Sequence, residues 1–179
     1  MSRKTLITLH LYLAAFFAPI LLLMAISGGL YLAGIHGDMQ KGDAVFIAGA
    51  TLNGSGEAKE AEVRALLEQA GLDSHFEYIK ERGDMIQTRP TSRDHYQIGI
   101  KPDGIEITAI SPSLTASLME LHKGHGPRLF RVLLQIMAVG LVVVLISGVI
   151  LGLQSPLLKT KTAGFTVAGL LAFVIFAML

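Results

Sequence analysis

Three long apolar runs and one stretch of mixed polarity divide the chain. Leu6–Ile35 carries no charged residue, Leu133–Leu153 carries none, and Thr162–Leu179 forms a shorter third run. About 20 apolar residues rising 1.5 Å each cross the roughly 30 Å hydrocarbon layer, so each run predicts a transmembrane helix. Between the first two runs the pattern changes. Val63, Leu66, Leu67 and Ala70 recur at helical spacing and Gly71 stands in the stop position, which predicts an amphipathic helix over Ala58–Ala70. The period then falls to two. Phe76 and Tyr78, then Ile86 and Thr88 after Gly83-Asp84, then Tyr96, Ile98 and Ile100, then Ile105, Ile107 and Ala109 after Pro102-Asp103-Gly104, predict an antiparallel meander. Met39–Gly56, rich in small residues, reads as a linker. Ser111-Pro112 reads as the start of a further helix, with Leu114, Leu118 and Leu121 striping one of its faces.

The fold class expected is an α-helical membrane protein with a small exported α+β domain between its first and second spans. The divisions are the N-terminus and first helix in 1–36, the α+β domain in 37–126, the second helix in 127–154, a loop in 155–161 and the third helix in 162–179. Composition agrees: 51% of residues are hydrophobic and only 16% charged, against about 25% charged in an ordinary soluble domain. The first run is too long for a cleaved signal peptide, whose apolar core spans about 7 to 15 residues, and reads as an uncleaved anchor.

Charge orients the chain. All 14 acidic residues lie between Asp38 and Glu120, and nine basic residues in Gly37–Gly126 leave that segment at −5. Arg3 and Lys4 precede the first run, and Lys159 and Lys161 lie between the second and third. The positive-inside rule places these flanks in the cytoplasm and the acidic segment, with the C-terminus, outside it. Arg128 and Arg131 oppose the rule locally. Absence of cysteine excludes disulfides and thiolate metal sites, so redox chemistry would need a cofactor. No Ser-His-Asp set, phosphate-cradling glycine loop or close carboxylate pair is present, so no catalytic residue is assigned, and nothing suggests a nucleic-acid partner.

The basic start followed by TLITLHLYLAAFFAPILLLMAISGGLYL, the helix and meander, and ELHKGHGPRLFRVLLQIMAVGLVVVLISGVILGL together resemble the PepSY-associated transmembrane proteins of bacterial inner membranes. The most specific likenesses are Leu9-His10, the Leu-His-Lys-Gly at Leu121–Gly124, and Ile-Ser-Gly at Ile26–Gly28 and again at Ile146–Gly148. The PepSY-like unit that the resemblance implies is Glu60–Ile110, a looser match whose pattern is mostly helix and strand periodicity. Larger members are implicated in reducing iron in imported ferric siderophores through membrane-embedded b-type haem held by histidines. The resemblance therefore implies a multi-pass inner-membrane protein with its main domain in the periplasm, haem b as cofactor, and an exported redox or iron-carrier partner. This chain has one PepSY-like unit and three helices and lacks the additional histidine-bearing helix. Electron transfer across the membrane would then call for a homo-oligomer or a larger membrane complex.

His10 lies inside the first run, where an ionisable group usually has a partner. It is expected either to bond a neighbouring backbone group or hydroxyl, or to bind haem with a ligand from a second chain. At the other end, His36 closes the first run while His122 and His125 open the second. Bis-histidine ligation needs neutral imidazoles from separate elements, which His36 with His122 or His125 would supply. Gly124 and Gly126 would admit a flat ring, and Arg128 and Arg131 would pair with its propionates or, alternatively, snorkel to lipid phosphates. Three readings of these histidines stand: haem ligands, caps at the interface, and a metal-ion site formed by His122 and His125. His75 and His95 read as ordinary strand residues. Gln135 is expected to face a neighbouring helix. Two functions are consistent with these features: a haem-bearing subunit passing electrons for iron reduction, or a non-catalytic anchored module that binds or regulates a partner protein through its exported domain.

Overall fold

The computed structural model describes residues 2–179. Its elements are α1 (Arg3–Leu32), β1 (Met39–Ala48), α2 (Glu57–Gln69), β2 (Tyr78–Arg82), β3 (Met85–Arg89), β4 (His95–Lys101), β5 (Gly104–Pro112), α3 (Leu114–His122), α4 (Arg128–Leu153) and α5 (Lys159–Met178). α1, α4 and α5 are each long and apolar enough to cross a membrane, and the protein is a membrane protein. α5 begins at Lys159, so the loop expected over 155–161 is shorter, its last residues already helical.

The chain divides into two compact units, residues up to Leu22 with Gln135–Leu179, and Leu23–Leu134. In the first, the early part of α1 packs on α4 through Phe17, buried against Gly140, where a Cβ would collide with the phenyl ring. Farther along, Gly152 meets Thr162 of α5 in the same manner. These glycines bring the helices close, as helix pairs in lipid do. Gln135 does not face a neighbouring helix as expected: it is exposed on α4, because Met137 and Gly140 take the buried positions.

In the second unit the five strands form one antiparallel sheet in the order β1-β5-β4-β3-β2. β2 to β5 are the expected meander. β1 corrects the reading of Met39–Gly56 as a linker, since its first ten residues pair with β5 from Met39 opposite Pro112 to Ala48 opposite Gly104, with an irregularity between Lys41 and Ala44. Gly42 and the run of exposed positions hide the period of two, and only Val45 and Ile47 alternate toward the core. One face of the sheet carries Ile86, Ile98, Ile105 and Ile107, which close with Val63, Leu66 and Leu67 of α2 into the core. Neither the stripe nor the strands can bury themselves alone. Gly104, at φ 158°, lies against the Ile47 carbonyl and the Phe46 ring, so the β4–β5 turn and β1 meet where a side chain would not fit.

Ser111 and Pro112 finish β5 instead of starting the helix. The cap is Ser113, whose Oγ accepts from Ala116 N at 3.3 Å and from Asp38 N at 3.0 Å. The buried face of α3 is Ala116, Met119 and Glu120, whereas Leu114 is 78% exposed, so the expected leucine stripe is not the packing face. α3 stops at His122, and Gly124, at φ +75°, turns the chain toward α4.

Candidate functional site

Leu23–Leu134 places His122, the last residue of α3, against α1. Its Nδ1 lies 2.9 Å from Oγ of Ser27, and its ring rests over Gly28, whose missing Cβ would stand 3.2 Å from Cε1. Ser27 is fully buried. Its hydroxyl has one proton, and that proton is given to its own helix, to Leu23 O at 2.6 Å. With that proton on the carbonyl, Oγ is placed to accept from an Nδ1–H of the imidazole, and Nε2 has no hydrogen-bond partner among the described residues. A metal-ligating histidine is oriented in this way by its other nitrogen. The ring also lines a mostly apolar cavity of about 360 Å³ with Gly28, Tyr31, Leu32 and Met119.

His10 is built alike in the other unit. Nδ1 lies 2.9 Å from Oγ of Ser147, that hydroxyl donates to Val144 O at 3.0 Å, and a Cβ on Gly148 would stand 3.3 Å from Cε1. Its Nε2, too, has no hydrogen-bond partner among the described residues. Of the two expectations for His10, the bond to a neighbouring hydroxyl is present. Each Leu-His thus sits on an Ile-Ser-Gly of another helix, a reciprocity missed when the serine-glycine steps are taken as packing surfaces only. The signal in the sequence is the double occurrence of both motifs.

His36 and His125 are placed differently. His36 is exposed, stacks on Tyr31 with ring centroids 4.7 Å apart, and lines a second cavity that shares Tyr31, Met119 and Lys123 with the first. His125 Nδ1 donates to Glu120 Oε2 at 2.7 Å and lines a third cavity. The three imidazoles thus border three cavities, and among the described residues no group of three or more His, Asp or Glu is arranged to hold a metal ion.

Glu120 does not stand out in the sequence, yet it ties α3 and the turn after it to the β3–β4 end of the sheet. Thr91 donates to it at 2.5 Å, His125 at 2.7 Å and Lys123 also, while Arg89, 3.9 Å away, donates to Thr91 at 2.8 Å. Burial raises its pKa, but the hydrogen bonds from Lys123, Thr91 and His125 outweigh it and hold the carboxyl at about 2. Thr91 N donates to His125 O at 3.1 Å, tying the β3–β4 loop to the same joint.

Arg128 and Arg131 turn to the sheet. Arg128 N donates to Glu77 Oε2 at 2.7 Å and its Nη2 to Glu77 O at 3.0 Å, and Arg131 Nη1 donates to Tyr78 OH at 3.1 Å. Both guanidinium groups lie near the Tyr78 ring. Glu77 supplies the negative charge that the start of α4 otherwise lacks. His75 is exposed and bonded to Asp73, while His95 is buried at the start of β4.

Three apolar helices and a small antiparallel sheet backed by a helix define a multi-helix membrane protein with a folded segment outside its spans. The chain belongs to the family described as PepSY-associated TM region, whose model matches residues 7–169. No curated protein and no solved structure matches the chain.

Proposed function

We propose that the protein is a haem-b-binding subunit of a bacterial inner-membrane electron-transfer system for iron reduction. The N-terminus is cytoplasmic, and the helix-backed sheet is a periplasmic PepSY-like domain. The observation that carries this reading is the Ser27–His122 pair: an imidazole held through Nδ1 by a buried serine, with Nε2 unpartnered among the described residues, beside a mostly apolar cavity. Bound there, haem would supply one-electron chemistry. His122 would hold the iron, and His36 or, in its place, His125, each at a neighbouring cavity, would be the residues to supply a second imidazole. Ser27 would keep Nδ1 protonated, and Gly28 would leave the imidazole room. His10 on Ser147 is the counterpart, and its second ligand would come from another copy or subunit. Arg128 and Arg131 would act mainly through Glu77 and Tyr78, holding the domain on its span.

The test is the absorption spectrum of the full-length protein. A Soret band with low-spin features is expected, lost in His122→Ala and kept in His75→Ala, with both variants still inserted. A colourless preparation from haem-supplemented cells would overturn it. The second reading, a non-catalytic anchored module that binds a partner, is favoured by the domain's own attachments: the arginine contacts hold the sheet to the start of α4 and the Glu120 network holds it to α3, through protein groups alone.

A further inference from the structure

Cross-strand partners share a face of the sheet, so the register sorts the charges. Opposite α2, Lys80, Gln87, Gln97 and Thr108 form one row, and Arg82, Met85, Gly99 and Glu106 the next. His95, Ile110 and Lys41 form a third. Although Gly37–Gly126 carries −5 overall, this face is basic. At one end it forms a cavity of about 230 Å³ whose charged lining is Lys41, Arg82, Arg89 and Lys123 against Glu120 alone. Lys123 is paired with Glu120, and Arg89 is buried and held by Thr91. Among the described residues neither Lys41 nor Arg82 has a carboxylate within 4.0 Å. Both are exposed, and the side-chain amides of Gln87 and Gln97 line the same cavity. Burial lowers the His95 pKa, so that imidazole contributes hydrogen-bonding capacity instead of charge.

We propose that this cavity binds a soluble, multivalent oxyanion, a small polycarboxylate or phosphate, with Lys41 and Arg82 as its primary cations. Cations without acidic partners lining one cavity from the two edge strands, with side-chain amides and a buried guanidinium between them, match the several separated oxygens of a multivalent anion. A lipid headgroup would bring acyl chains, whereas the lining offers them only Met39 and Ile110. Of the histidines named above as candidate haem ligands, His125 lines this cavity and His10, His36 and His122 do not, so its two primary cations, Lys41 and Arg82, lie outside the His122 cavity.

Full-length protein in nanodiscs of zwitterionic lipid, titrated calorimetrically with tricarballylate and with inorganic phosphate, tests this. Saturable binding of at least one anion is expected, weakened roughly tenfold or more by combining Lys41→Gln with Arg82→Gln, because two charge-assisted hydrogen bonds are lost. Combining Lys80→Gln, on the same face beside Gln87, with Lys101→Gln, neither of which lines the cavity, should weaken binding by less than about threefold, as exposed charges without a direct contact do. All four positions are exposed, so both double variants should keep the parent melting temperature. Equal losses in the two variants would mean diffuse surface charge, and no saturable heat would mean no site. Binding detected only with anionic-lipid nanodiscs would assign the charge to a headgroup. Each of these results overturns the proposal, whatever the haem content.

Discussion

A serine hydroxyl inside a helix usually returns its proton to a carbonyl one turn back, and Ser27 does so at Leu23. What remains on the oxygen is an acceptor for an imidazole N–H, so the serine orients the ring that rests on it. Ser27→Ala removes that acceptor without adding bulk. The expected outcome is haem affinity lower by roughly ten to a hundredfold, the usual loss for an orienting partner, with the protein's amount in the membrane unchanged. Reconstitution titrations followed at the Soret band check it, and unchanged affinity would leave the serine a packing residue. Glu120 makes a different prediction. Its folded pKa of about 2 lies below the ordinary 4.5, so its contribution to stability is fully present above about 4.5 and is lost as pH falls toward 2. Glu120→Gln should lower stability at neutral pH by roughly 3 kcal/mol, the scale for breaking a buried ion pair. The difference from the parent should shrink across that acid window in thermal melts.

At the level of elements, the joint between sheet and α4 rests on Glu77. Its carboxylate takes the Arg128 N–H at the start of α4, where the helix has no acidic residue of its own. Glu77→Ala should cost about 1 kcal/mol, as lost helix caps do, and should speed proteolysis between Gly124 and Pro127 without unfolding the sheet. The sheet itself depends on α2. Leu67, fully buried among the isoleucines, fills the space between layers, and Leu67→Ala should destabilise the segment by roughly 2 to 5 kcal/mol in chemical or thermal denaturation. The strands β2 to β5 were legible because alternation and the Pro-Asp-Gly turn agree. β1 was not, because an edge strand with Gly42 and few inward apolar residues carries no periodicity. Its place depends on the unpaired edge of β5, a partner far beyond any local window.

For the whole molecule, the acid-rich middle segment and the basic flanks predict a topology that fusions can test. A periplasm-dependent reporter joined after Leu179 or inserted at Asn53 should be active, and one joined in the loop near Pro156 should not; the reverse pattern would invert the orientation. Residue order alone was enough to show three runs able to span a membrane, a helix-backed meander between the first two, and histidines bracketing that segment. It was enough because hydropathy and local period are properties of neighbouring residues. The folded arrangement was needed to settle which serine each histidine meets, that Arg128 and Arg131 turn to Glu77 and Tyr78, that Glu120 gathers Thr91, Lys123 and His125, and that basic residues of an acidic segment share one sheet face. Ser27 and His122 are 95 positions apart and His10 and Ser147 are 137 apart. Such pairings depend on which helices and strands lie side by side, and no local pattern encodes that choice.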